Sequence, residues 1–178
     1  QSVQGEEREI PPLAQRDGAD VLAPEAPCRA GGGPAQHLAL GAPVRGLAPP
    51  VQQEGVAHRG RTALFMHPPY RSGPGYGFQQ FRVELPPGRV IRLVGGTAMK
   101  DEVTGKSDGV VFRVRVGDEV VWEHAGKGPE WTDFDVDLSR FAGRTVALRF
   151  ETDCGPADNT AYDWSLWSGR VLKIAGYE

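Results

Sequence analysis

From about residue 57 onward the chain alternates apolar and polar side chains with a period of two, and no long stretch shows a helical period. Successive side chains of an extended strand point to opposite faces, so this pattern dictates half-buried β-strands. Val110, Phe112, Val114 and Val116 alternate with Arg113 and Arg115 in the cleanest case. Phe81, Val83 and Leu85 alternate with Arg82 and Glu84, and Pro86-Pro87-Gly88 ends the run. Phe134, Val136 and Leu138 alternate with Asp133, Asp135 and Asp137. Ala63, Phe65 and His67 alternate with Leu64 and Met66, apolar on both faces. Further runs cover 90–94, 120–122, 144–150, 162–167 and 170–174, and Gly117-Asp118 reads as a hairpin turn. Many short strands separated by Gly/Pro turns predict an all-β domain over residues 56–178, an antiparallel β-sandwich of jelly-roll type.

Residues 1–55 follow a different rule. They hold eight of the fifteen prolines, a Gly31-Gly32-Gly33-Pro34 break and no aromatic side chain. Apolar residues there are too sparse to close a core, so an irregular, extended N-terminal segment is expected, lying across the domain or leading from a larger protein. The net charge of -3 gives no electrostatic basis for nucleic acid or an anionic membrane. No apolar run approaches the ~20 residues that cross a bilayer, so membrane insertion is not expected. The start QSVQGEEREI lacks a basic region followed by an apolar one, so no signal peptide is read there, and a trimmed form of a secreted chain fits equally. Cys28 and Cys154 are too far apart for a zinc or redox motif. Either they form a disulfide pinning the N-terminal segment, with about 4 kcal/mol from loop closure, or they are two buried thiols.

The densest chemistry lies in T-D-C-G-P-A-D-N-T-A-Y-D-W-S-L-W, residues 152–167. Neighbouring carboxylates repel unless they are solvated, paired or bridged by a cation, and aromatics beside them are core wedges or a ligand platform. Catalytic signatures are absent: there is no G-x-S-x-G and no H-E-x-x-H, and the four histidines are scattered. The Gly73-Pro74-Gly75-Tyr76-Gly77 stretch lacks the Lys-Ser/Thr of a phosphate loop and reads as a surface loop. A non-enzymatic domain is therefore expected. Oxygen-rich loops at 100–108 and 153–163 offer Asp101, Asp108, Asp153 and Asp158 as ligands for a structural Ca²⁺. Solvated loop charge with Asx turns is the competing reading. Trp122 sits among valines as core. Trp164 and Trp167, three apart in an extended run, are expected on opposite faces, with Trp167 available to a ligand. Tyr70, Tyr76, Trp131 and Trp167 are the candidate stacking platforms, with Asp163 taking ligand hydroxyls, because sugar recognition pairs ring stacking with such polar groups.

Four blocks in order, V-G-G-T-A-M-K-D-E-V (94–103), S-D-G-V-V-F-R-V-R-V-G-D-E-V-V (107–121), V-D-L-S-R-F-A-G-R-T-V-A-L-R-F-E-T-D (136–153) and D-N-T-A-Y-D-W-S-L-W (158–167), resemble the NPCBM-type carbohydrate-binding modules. The resemblance covers about residues 60–175. It implies a galactose-binding-like jelly roll of the kind attached to secreted glycoside hydrolases. Asp163 and Trp164 match the terminal motif, where the Asp orients a loop or ligand and the Trp packs. Asp101 and Asp108 match the acidic loop near which members of the family hold a structural Ca²⁺. This chain departs in carrying Tyr162 where the family commonly has a His, and in the ending Ser165-Leu166-Trp167. The expectation is a non-catalytic, weakly carbohydrate-binding accessory domain of an exported protein (secreted, extracellular or periplasmic), attached to a larger or catalytic partner. The alternative is a structural or protein-interaction sandwich, with or without a stabilising Ca²⁺, that binds no sugar.

Overall fold

The alternation at 110–116 is realised as a strand whose Val110, Phe112, Val114 and Val116 are buried while Val111, Arg113 and Arg115 face outward. The computed structural model describes residues 6–9, 51–68, 75–155 and 157–176, with residues 6–9, Val51 and Gly176 as backbone only. Ten strands occur among them: β1 (Glu6–Glu9), β2 (Val51–His58), β3 (Arg61–His67), β4 (Tyr76–Glu84), β5 (Arg89–Met99), β6 (Val110–Val116), β7 (Glu119–Gly126), β8 (Thr132–Asp137), β9 (Thr145–Asp153) and β10 (Ser165–Gly176). The helical content of the described residues is two 3-10 turns, Asp101–Val103 and Ser139–Phe141. No helix among them is long and apolar enough to cross a membrane.

The strands form two antiparallel sheets. One has the order β2-β3-β10-β5-β8, with β1 pairing the later half of β10, and the other has the order β4-β9-β6-β7. Chain neighbours from β3 to β10 mostly change sheet, as the jelly-roll sandwich requires. Two features extend the sequence reading. Strand β2 begins at Val51, inside the segment read as irregular, and β1 adds a second piece of that segment to the first sheet. The separate runs at 162–167 and 170–174 are one strand, which starts only at Ser165 and bulges between Ser168 and Val171, where Gly169 takes a positive φ of 56°.

The inner faces meet in one core built from Leu64, Met66, Phe81, Ile91, Leu93, Phe112, Phe150 and Trp167, among others. Trp167 is at its centre, fully buried, with its ring edge-to-face on Phe112 at 5.2 Å and on Phe150 at 5.4 Å between centroids. Its indole Nε1 donates to Thr152 Oγ1 on the opposite sheet at 2.9 Å. Ser165 Oγ lies 3.0 Å from the same hydroxyl and donates to the Met66 carbonyl at 2.5 Å. This corrects the expectation that Trp167 is a ligand platform. Because the strand begins at Ser165, Trp164 is not part of its alternation, and Trp167 falls on the inner face. Replacing Trp167 by Ala should cost about 3–5 kcal/mol of unfolding free energy. Urea denaturation should show the midpoint falling far more than for Trp164→Ala, whose ring is only half-buried.

Candidate functional site

Two loops close one end of the sandwich: residues 100–109 between β5 and β6, and residues 154–164 between β9 and β10. They are bolted together by backbone and side chain. The Lys100 N–H donates to the Trp164 carbonyl at 3.0 Å, and Ala157 N–H donates to Asp108 Oδ2 at 2.9 Å. Ser107 Oγ donates to Asp163 Oδ1 at 2.7 Å while accepting from Gly109 N–H at 2.9 Å. Gly155 permits the approach, since a Cβ there would stand 2.2 Å from the Gly109 carbonyl oxygen.

Between Asp158 and Trp164 the chain makes tight turns. Asn159 Oδ1 accepts from Ala161 N–H at 2.9 Å, an Asx turn, and Asp158 and Tyr162 take positive φ values of 53° and 64°. A left-handed backbone at a tyrosine costs roughly 1–2 kcal/mol. Here it turns the Tyr162 ring outward, 45% exposed, while Asp163 beside it is wholly buried. The Tyr162 ring lies 6.5 Å from that of half-buried Trp164. Lys106 Nζ sits 5.6 Å over Tyr162, and Lys100 Nζ lies 5.8 Å from Trp164 and 5.5 Å from Phe65. The result is a short aromatic row, Tyr162–Trp164–Phe65, with two ammonium groups along it.

The residues expected from sequence fall in several places. Asp163 is at this end, but its carboxyl is turned inward to Ser107, so it clamps the loops and does not reach a ligand. Trp131, just before β8, packs on the outer face of the first sheet, with Arg61 stacked 5.1 Å over its ring, His58 edge-on, and Nε1 donating to the His58 carbonyl. Tyr76 opens β4 in the second sheet, half-buried beside Phe78, and burial raises its phenol above the ordinary range. Tyr70 lies outside the described residues. The structure therefore does not bring Tyr76, Trp131 and Trp167 together. Tyr162, Lys100 and Lys106 were missed as site residues; the Asn159-Thr160-Ala161 turn before Tyr162 was the signal that the strand starts late.

The four acids considered for Ca²⁺ do not fit as one ligand set. Asp101 is exposed and accepts from Arg59 Nε at 3.0 Å, which holds its carboxyl below the usual range. Asp153 accepts from Arg113 Nη1 at 2.6 Å. Asp108 is engaged by Ala157, and Asp158 is solvent-facing. Among the described residues no group of three or more His, Cys, Asp or Glu side chains converges as a metal site. Cys154 is buried and disulfide-bonded, and the chain's other cysteine, Cys28, lies outside the described residues.

No family model matches the chain. An uncharacterised protein of Archaeoglobus fulgidus is 40% identical over 72 residues, which cover 35% of this chain and 18% of that protein. Among solved structures, the chain is similar to the CBM51-2 and INT domains of Clostridium perfringens ZmpB in complex with GlcNAc, with a TM-score of 0.48, 17% identity, and coverage of 65% of this chain and 23% of that one. It is similar also to a CBM51 from Clostridium perfringens GH95 in complex with methyl-galactose (TM-score 0.46, 13% identity, 70% and 79% covered). A third is CBM27-1 of Caldicellulosiruptor saccharolyticus in complex with mannohexaose (TM-score 0.45, 13% identity, 71% and 82% covered). These neighbours are carbohydrate-binding modules. The chain spans less than a quarter of the Archaeoglobus protein and of the ZmpB chain.

The buried acid clamp makes stability pH-dependent. Burial pushes Asp163 up to about 7, against the pull of Ser107 and helped by the nearby Asp108 carboxylate. Burial likewise pushes Asp153 up to about 6, opposed by Arg113. The folded chain thus keeps protons that the unfolded chain, with carboxyls near ~3.9, has already released. The stabilisation is present in full below about pH 4 and is lost as pH rises through about 6 to 7. The melting temperature should therefore fall from pH 5 to pH 8. Asp163→Asn, which keeps an acceptor for Ser107, should flatten that slope and exceed the wild type at pH 8 by a few kcal/mol, on the order expected for such a shift.

Proposed function

We propose that this domain is a non-catalytic carbohydrate-binding module of NPCBM type, serving an exported, larger protein and holding glycans weakly through the end of the sandwich. The observation that carries this reading is Tyr162, a large aromatic side chain held in solvent by a costly left-handed backbone next to Trp164, Lys100 and Lys106. Backbone strain at an exposed residue, maintained by a rigid loop clamp, points to a contact that matters outside the fold.

The chemistry suits a sugar. The C–H face of a pyranose packs on an aromatic ring, and the ammonium groups with the Asp158 and Asn159 side chains are placed to meet hydroxyls around it. A short row of this kind buries little of the ligand, so affinity for a single unit is low and increases when several modules or repeats are engaged. The disulfide at Cys154 supports a place in an oxidising compartment. The galactoside and mannohexaose named above belong to the neighbours, and the reading here rests on Tyr162 and its surroundings.

Tyr162→Gly separates binding from folding. Glycine relieves the positive φ, so the melting temperature should hold or rise, while retention in glycan affinity electrophoresis should weaken by about tenfold or more. If the folded wild type binds no neutral or acidic glycan on an array, the carbohydrate reading is wrong.

A further inference from the structure

On the outer face of the first sheet, one row across four strands carries almost no side chain. Ala63 of β3 pairs with Ser168 of β10, Ser168 with Gly96 of β5, and Gly96 with Asp133 of β8. With the bulge at Gly169, this row leaves an open depression of about 580 Å³, lined by Val94, Gly95 and Phe134 among others. Its wall is the ion pair Arg61–Asp133, in which Nη2 donates to Oδ2 at 3.1 Å and a second bond joins Nη1 to Oδ1. A Cβ on Gly96 would lie 2.6 Å from Arg61 Nη1 and 2.7 Å from Asp133 Oδ1, so only glycine lets the pair lie across the strand. Stacking on Trp131 fixes the guanidinium from its other side.

Ser168 supplies the independent sign of a ligand. Its side chain is 3% exposed, it lines the depression, and its Oγ makes no hydrogen bond. A buried hydroxyl without a partner is costly, on the order of 1–3 kcal/mol, yet alanine occupies the neighbouring position in the same row and would fit here too. We propose that this depression is a second binding site, for one unit of a neutral sugar or similar polyol. The arginine and aspartate cancel in charge, which disfavours an ionic ligand, and together present donors beside acceptors. That pattern matches two vicinal hydroxyls, one accepting from Arg61 and one donating to Asp133. A third hydroxyl reaches Ser168 Oγ as the exposed ion pair shifts toward the ligand, and Val94 meets the C–H face of the ring. The site shares no residue with the loop end, so the two readings stand or fall separately.

The test is an amide chemical-shift titration of the full chain with D-galactose and with D-mannose at millimolar concentrations. Shifts are expected at Gly95, Gly96, Ser168 and Gly169. Ser168→Ala should abolish them or weaken the apparent affinity by about tenfold, while leaving the melting temperature equal or higher, because it deletes an unpaired buried hydroxyl. Asp133→Asn should weaken them as well, and Tyr162→Gly should leave them unchanged. Absence of shifts at these four amides with both sugars would overturn the proposal, and so would shifts that persist in Ser168→Ala.

Discussion

The hydrogen bond from Trp167 Nε1 to Thr152 Oγ1 joins the two sheets inside the core, and the placement of the loop end follows from it. Both residues are fully buried, so in an apolar interior each polar atom needs its partner. The indole satisfies the threonine, Ser165 contacts the same hydroxyl, and Ser165 in turn satisfies the Met66 carbonyl of β3. Three strands are tied at one point: β9 in one sheet, β10 and β3 in the other. Sliding β10 by one residue would turn Trp167 outward and strand Thr152, so the register is fixed by chemistry as well as by apolar area. The start of β10 at Ser165 is fixed too, and Asp163 and Trp164 are held just before it, where Ser107 and the Lys100 N–H receive them.

The acids that crowd the end of β9 have a local explanation. Glu151 and Asp153 project from the outer face of the second sheet and are nearly inaccessible, at 2% and 3% exposed. Arg113 reaches both, at 3.1 and 2.6 Å, and also Glu123 at 2.6 Å, while Arg115 lies 3.2 Å from Glu151. Arg113 of β6 thus stands opposite Glu151 of β9 and reaches Asp153 diagonally, while Arg115, opposite Arg149, reaches Glu151 diagonally, so the buried acids are paired across the strands. Removing Arg113 would leave the buried Asp153 carboxylate without its cation, while Glu151 keeps Arg115, and an uncompensated buried charge costs more than the pair contributes.

The sandwich was legible because period two is a direct image of strand geometry. Val110–Val116 and the Asp133, Asp135, Asp137 series fall as the alternation demands, with Phe134 and Val136 inside. Strand β2 was less legible: Val51–His58 is poor in apolar residues because it is an edge strand whose side chains are mostly exposed or half-buried. The site was read poorly for a different reason. Whether an aromatic faces water depends on where its strand begins, and Asn159, Thr160 and the left-handed Tyr162 delay that start by several residues. Trp167 therefore went inside and Tyr162 outside, the reverse of what counting from Tyr162 suggests. The acids at 101, 108 and 153 were in oxygen-rich loops as the sequence implied, but arginines distant in the chain, Arg59 and Arg113, claim two of them. Composition cannot show such pairings.

The two candidate surfaces lie on the same side of the first sheet and are separated by a covered apolar cluster. From Trp164 and Phe65 the outer face of the first sheet continues through Ala63, Ala98 and Leu166, a small apolar cluster flanked by Val56 and Trp131, to the row of Ser168 and Gly96. Phe65 and Arg61 are four residues apart on β3, roughly 13 Å along an extended strand. Ala63, Ala98 and Leu166 are themselves buried, because Val56, Phe65 and Trp131 pack over them, and the Trp131 ring with Arg61 stacked on it stands between the aromatic row and the depression. The chemistry of the two surfaces differs: ammonium groups over rings at the loop end, a neutralised ion pair with an unpaired hydroxyl on the sheet. The buried apolar cluster between them offers no contact to a ligand, so each surface has to hold what it binds with its own side chains.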